Sequence, residues 1–161
     1  MFKSLKKITG IQVNYLYKAI VVAMTSLCAL SVYAADAEPI GYVMKVSGDA
    51  SVVSAGKSIP AKVGTPVVEG STLRVGANSA MGVTLKDNTV MSLGPNSEMV
   101  IDEYLYAPAK NDLKLTTRMV HGTLNFISGV IAKLRPEAVQ INTPTGTIGV
   151  RGTHFLVKVD E

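Results

Sequence analysis

Among the residues of this 161-residue chain, those best suited by type to do chemistry are His121, His154, the adjacent acids Asp102 and Glu103, and Arg151. The two histidines stand 33 positions apart, and neither falls in a His-x-x-x-His or cysteine-rich pattern with metal-ligand spacing. His121 precedes Gly122 and reads as a hydrogen-bonded turn histidine. Neighbours in a strand point to opposite faces, so Asp102 and Glu103 are not expected to share a proton or a substrate. There is no Gly-x-Ser-x-Gly elbow and no glycine-rich loop opening a helix to cradle phosphate. Met44, Met81, Met91, Met99 and Met119 lie on or beside apolar rows without the Met-x-x-Met clustering of a copper site, and read as gap fillers. Arg151 could offer its guanidinium fork to a partner carboxylate. Flanked by Gly149 and Gly152, it reads first as an internal lock on a closing turn, and Arg151→Ala is expected to lower the thermal midpoint. Tyr104 and Tyr106, between the acid pair and Pro108, form a candidate interaction surface; the alternative is a strand end packed on the core. These residues give no catalytic, cofactor or metal set, and the chain is not expected to be an enzyme.

The elements that would position them begin after a leader. Lys3, Lys6, Lys7 and Lys18 precede an uncharged stretch of 14 residues, Ala19 to Val32, followed by Tyr33-Ala34-Ala35. A basic segment, a short apolar core and small residues at a cut site make a secretory signal peptide. Cleavage is placed between Ala34 and Ala35, with a second reading after Ala37. A span of the bilayer needs ~20 apolar residues, so no stable membrane anchor is expected after processing. Cys28 is lost with the leader, and Leu27 before it does not suit a lipidation signal. Four of the 16 basic residues leave too, and the remaining 12 balance 12 acids. The apparent basicity therefore belongs to targeting and offers nucleic acid no face. Residues 35–161 are long enough to bury one core without disulfides, and the expected location is the periplasm.

Glycines at 41, 48, 56, 64, 70, 76 and 82 recur every six to eight residues, leaving room for short strands between turns. Period-two alternation fits Met81-Val83-Leu85, Leu113-Leu115-Thr117-Met119 and Phe155-Val157-Val159. From Ile127 to Arg135 the pattern allows either one helical turn or a bent strand. Residues 72–79 and 90–97 repeat at an offset of 18, each ending in Gly-Xaa-Asn-Ser. An all-β domain is expected, preceded by the signal-peptide helix. The offset favours a β-solenoid-like stack, with a compact twisted β-sandwich as the alternative.

Four segments in order resemble the FecR domain family: Gly41 to Gly48, Val63 to Leu73, Ser79 to Thr89 with its Asp87-Asn88 turn, and above all Ile141 to Phe155. The last contains Gly149-Val150-Arg151-Gly152-Thr153 and the aromatic Phe155, the family's hallmark, here expected to be structural. Asn88 stands where the family usually has glycine, a swap tolerated because asparagine also enters the left-handed region. The resemblance covers a core of residues 40–159 and implies a twisted or solenoid-like β domain. FecR-type proteins usually regulate a sigma factor and contact a TonB-dependent outer-membrane receptor. With 18 residues before the apolar core, only the family's middle module is expected here. The function expected is a non-enzymatic periplasmic interaction or sensory module, linked to envelope or iron-uptake signalling through an envelope or outer-membrane protein. The alternative is a structural or carbohydrate-contacting envelope component. The oligomeric state is left open.

Overall fold

The computed structural model describes residues 37–150 and 154–160. Residues 1–36, which hold the expected leader, Cys28 and the expected Ala34–Ala35 cut, lie outside the described residues, as do Arg151, Gly152 and Thr153.

Twelve strands and one short helix follow in order: β1 (Gly41–Ser47), β2 (Ala50–Ser54), β3 (Lys57–Pro60), β4 (Pro66–Val67), β5 (Thr72–Val75), β6 (Ala80–Leu85), β7 (Val90–Leu93), β8 (Ser97–Ala107), β9 (Asp112–Ile127), α1 (Val130–Leu134), β10 (Val139–Thr143), β11 (Gly146–Gly149) and β12 (His154–Val159). The all-β class holds. The strands form one curled sheet in two wings that share β9. The first wing runs β4-β1-β6-β7-β9-β12, and the second β3-β2-β5-β8-β9-β10-β11. Residues 122–127 of β9 pair with β12 in the first wing, and residues 112–121 pair with β8 in the second.

Every pair but β9–β10 is antiparallel. The solenoid-like stack is therefore corrected to the compact twisted arrangement. Turns of two to five residues join most successive strands here, and parallel neighbours need a crossover of a dozen or so. The one long link, residues 128–138 with α1 inside it, makes the one parallel pair. Ile127 to Arg135 thus resolves into a strand end and a helix of a little over one turn, with Ile131 and Ala132 buried.

The 18-residue repeat has a different physical meaning. Each Gly-Xaa-Asn-Ser copy is a corner at which the chain changes wing: residues 76–79 carry β5 into β6, and 94–97 carry β7 into β8. Asn78 and Asn96 both take positive φ, at 53° and 49°. Each corner grips another crossing by the same three contacts. The Gly76 N–H donates to the Asp49 carbonyl (2.8 Å), the Asp49 N–H to Ser79 Oγ (2.9 Å), and Ser79 Oγ to the Ala77 carbonyl (2.9 Å). The Gly94 N–H donates to the Thr123 carbonyl (3.0 Å), the Thr123 N–H to Ser97 Oγ (2.9 Å), and Ser97 Oγ to the Pro95 carbonyl (3.4 Å). The Asn96 N–H reaches the Gly76 carbonyl at 3.1 Å and joins the two halves into one seam.

Inside the curl lies one core. Leu73, Met81, Met91, Leu93, Met99, Ile101, Leu115, Met119, Leu124 and Phe126 are fully buried and come from both wings. Four of the five methionines singled out in the sequence fill this space. Met44 does not: alternation from inward Val43 puts it outside, at 59 % exposure, and the bulge between Val43 and Lys45 leaves Lys45 outside as well. No helix among the described residues is long and apolar enough to cross a membrane.

Candidate functional site

The charged side chains are arranged on the outside of the second wing. Arg74 pairs with Glu98 (2.9 Å), Arg118 with Asp102 (2.7 Å) and Lys114 with Glu103 (2.7 Å), across neighbouring strands. Lys114 first, and Thr116 second, hold the Glu103 carboxyl below its ordinary range, while Asp102 raises Arg118. All are solvent-facing, where such pairs contribute little to stability.

A bulge between Ile101 and Glu103 explains both this ladder and a failed expectation. Ser97, Met99 and Ile101 point inward, and unbroken alternation would continue with 103 and 105, leaving Tyr104 and Tyr106 outside. The extra residue shifts the phase by one. Asp102 and Glu103 consequently both look outward, which corrects the expectation of opposite faces; each nonetheless holds its own cation. Tyr104 turns in to 8 % exposure, Tyr106 packs half-buried against the core, and Leu105 is left outside. The exposed tyrosine pair is not formed; the alternative, a strand end packed on the core, is what the chain adopts.

Tyr104 instead completes a buried polar cluster around Asp87, which is fully buried. The Asp87 N–H donates to the Tyr104 hydroxyl (2.9 Å), which donates to Asp87 Oδ1 (3.3 Å). Thr89 Oγ1 donates to Oδ2 (2.7 Å), and the Ile131 N–H reaches the same oxygen (3.3 Å) at the first turn of α1. The Gly129 N–H donates to Thr89 Oγ1 (3.2 Å). One carboxylate thus ties the β6–β7 turn to β8 and to α1. Burial first, and the Asp87 charge second, push the Tyr104 phenol well above its ordinary value of 10. The folded state resists ionising this phenol, so its contribution is complete below pH 10 and declines as pH rises past that, where only the unfolded chain ionises. Tyr104→Phe is expected to lower stability at pH 8. The gap from wild type should narrow above pH 10, measured by urea denaturation at each pH; a constant gap would contradict this.

The histidines serve locally. His121 Nδ1 donates to the Asn96 carbonyl (2.8 Å) at the seam; the histidine is hydrogen-bonded as read from sequence, but within β9 rather than at a turn. His154 Nε2 donates to Asn125 Oδ1 (2.6 Å) across β12 and β9. Among the described residues no group of three or more His, Cys, Asp or Glu could hold a metal.

The segment that most resembled a known family, Ile141 to Phe155, runs through the β10–β11 hairpin and into β12. Thr143 Oγ1 donates to the Gly146 carbonyl (2.9 Å) and closes the Thr-Pro-Thr-Gly turn. Val150 is buried, and Phe155 stacks on Phe126 with ring centroids 5.0 Å apart, anchoring β12. Gly149 is exposed, and a Cβ there would meet nothing within 4 Å. Among the described residues β11 pairs only with β10, and β12 only with β9. Residues of both strands line two open cavities. One of about 500 Å³ is lined by residues 143–148 and 157–160, and one of about 390 Å³ by residues 148–150 and 154–157. On the other side of β11 a cavity of about 780 Å³ is bounded by Pro136, Glu137, Val139, Gln140, Thr147, Gly149 and Val150. A model of the FecR protein family matches residues 71–161, more than half the chain.

The chain belongs to the FecR family. No curated protein and no solved structure gives a significant match. The family match begins at Ser71, so it takes in β5 to β12 but leaves out β1 to β4. Within this FecR domain the hallmark divides: Val150 and Phe155 face the core, while the strands on either side of them present free edges. Sequence reading had named the hallmark but not those edges, nor Leu156, which stands 70 % exposed on β12. The alternation of Phe155, Val157 and Val159 did put Leu156 on the outer row, and that was the available signal.

Proposed function

We propose that this FecR domain is a non-enzymatic, exported interaction module that works in the periplasm by gripping another envelope polypeptide, as part of a signalling system. The observation that carries this reading is the opening between β11 and β12, each of which is paired on one side only among the described residues. Exposed apolar Leu156 and half-buried Ile148 stand at that opening. The family to which the chain belongs supports a signalling role, and the basic, apolar, small-residue leader supports export. The acids and cations of the second wing answer one another across strands, which leaves that face suited to solvent.

The test places a photo-crosslinking amino acid at Leu156 or, as a control, at Arg74, in cells expressing the full chain. The expected result is a polypeptide adduct in the periplasmic fraction from position 156 and none from position 74. The adduct should fall at least fivefold when Ile148→Asp is added, with the thermal midpoint of Leu156 variants unchanged. Adducts of equal strength from both positions, or folded product confined to the cytosol, would overturn the proposal.

A further inference from the structure

Two successive strands joined by a link as short as residues 150–153 ordinarily zip into a hairpin. β11 and β12 do not. Each is bonded on one side only, so among the described residues two rows of backbone N–H and C=O groups face a gap without a partner. An unpaired strand edge is a ready template for pairing with another chain. Of the four residues of β11 only Ile148 packs against the core, and the other three are exposed.

The side chains around the gap are nearly neutral. Ile148, Phe155, Val157 and Val159 form its apolar lining, and Thr143, Thr145 and Thr147 its polar margin. The one cation there, Lys158, is held by Asp160 at 2.6 Å, and His154 is engaged by Asn125. A second copy of the chain does not suit the gap. Its β12 is backed by its own β9, and its β11 by β10, so neither is a lone strand that enters between two walls.

We propose that the gap between β11 and β12 accepts one extended, uncharged segment of a partner polypeptide, about as long as the six residues of β12, with apolar and small polar side chains alternating. Its backbone would pair with the free strand edge at the gap, and its apolar row would cover Ile148 and Val157. This deepens the interaction-module reading and rests on it.

The probe is an N-acetylated, C-amidated hexapeptide of alternating threonine and valine, titrated to millimolar concentration into the isotope-labelled full chain. Amide shifts should saturate and be confined to residues 146–149 and 154–160. Binding should weaken at least tenfold when the peptide is N-methylated at every second amide, when its valines become aspartates, or in the Ile148→Asp protein, whose shifts elsewhere report that it is folded. Overturning results are absence of saturable shifts, shifts centred outside these strands, N-methylated peptide binding as well as the parent, or the same shifts appearing with protein concentration alone, which would assign the edges to a second copy. Loss of peptide binding with the position-156 adduct intact would reject strand addition alone; loss of both would reject the module reading as well.

Discussion

Gly122→Ala is expected to destabilise the domain by at least about 4 kcal/mol, enough to leave much of it unfolded at 37 °C. Gly122 sits where β9 passes from one wing to the other, with φ at +98°. A Cβ there would lie 2.2 Å from Ser97 Oγ, 2.5 Å from Ser97 Cα and 2.6 Å from the Asn96 carbonyl oxygen. Two of those atoms are backbone and cannot turn aside. Relief requires moving the corner, which would break the Thr123 to Ser97 and Gly94 to Thr123 hydrogen bonds, each worth about 1 kcal/mol. Strain from the left-handed conformation adds about 1–2 kcal/mol. Gly56→Ala isolates that last contribution, since its φ is +76° and nothing lies within 4 Å of the added atom. Urea denaturation should show a small loss for Gly56→Ala and a large one for Gly122→Ala. Similar losses would mean the seam is not the constraint described.

Asp87→Ala is expected to cost about 3–5 kcal/mol, with a fall in thermal midpoint of about 10 °C or more. The side chain has no contact with solvent, and its two oxygens answer Thr89 Oγ1, the Tyr104 hydroxyl and the Ile131 N–H. Alanine would leave those donors buried without an acceptor, a penalty larger than the worth of the bonds themselves. Asp87→Asn keeps the shape but replaces one acceptor oxygen with a donor facing donors, and should fall between alanine and wild type. Asp102→Ala, which removes an exposed acid of the ladder, should leave the midpoint unchanged within scatter. Calorimetry of the three variants checks the order, and an Asp87→Ala midpoint within a degree or two of wild type would refute it.

Much of this fold could be read from the residues, and the exceptions share a cause. Alternation placed Met81, Val83 and Leu85 inward, and Asn88 was expected to tolerate the left-handed region, which it occupies at φ 65°. The inward row does not stop at Leu85. Asp87, Thr89, Met91 and Leu93 continue it at the same two-residue step, all buried, so the acid at position 87 was a visible misfit in an apolar series. It was passed over because its neighbourhood reads as a turn. Tyr104 was misplaced because a bulge inserts one residue without any marker in the local sequence, reversing every face beyond it. The repeat at 72–79 and 90–97 was legible as a motif, but short corners that exchange wings and short corners that stack coils look alike until strand partners are known. The β11–β12 gap is of another kind. Sequence patterns report pairings that form, and two adjacent strands that decline to pair leave no periodicity behind.

Because β9 spends its 16 residues in both wings, the domain has no line along which it could melt in halves. Amide protons on β5 and on β6, although in different wings, should therefore exchange with solvent in one cooperative opening. A guest seated against β12 would slow that opening throughout the molecule, so occupancy at one rim becomes rigidity at the far one, with no moving part required.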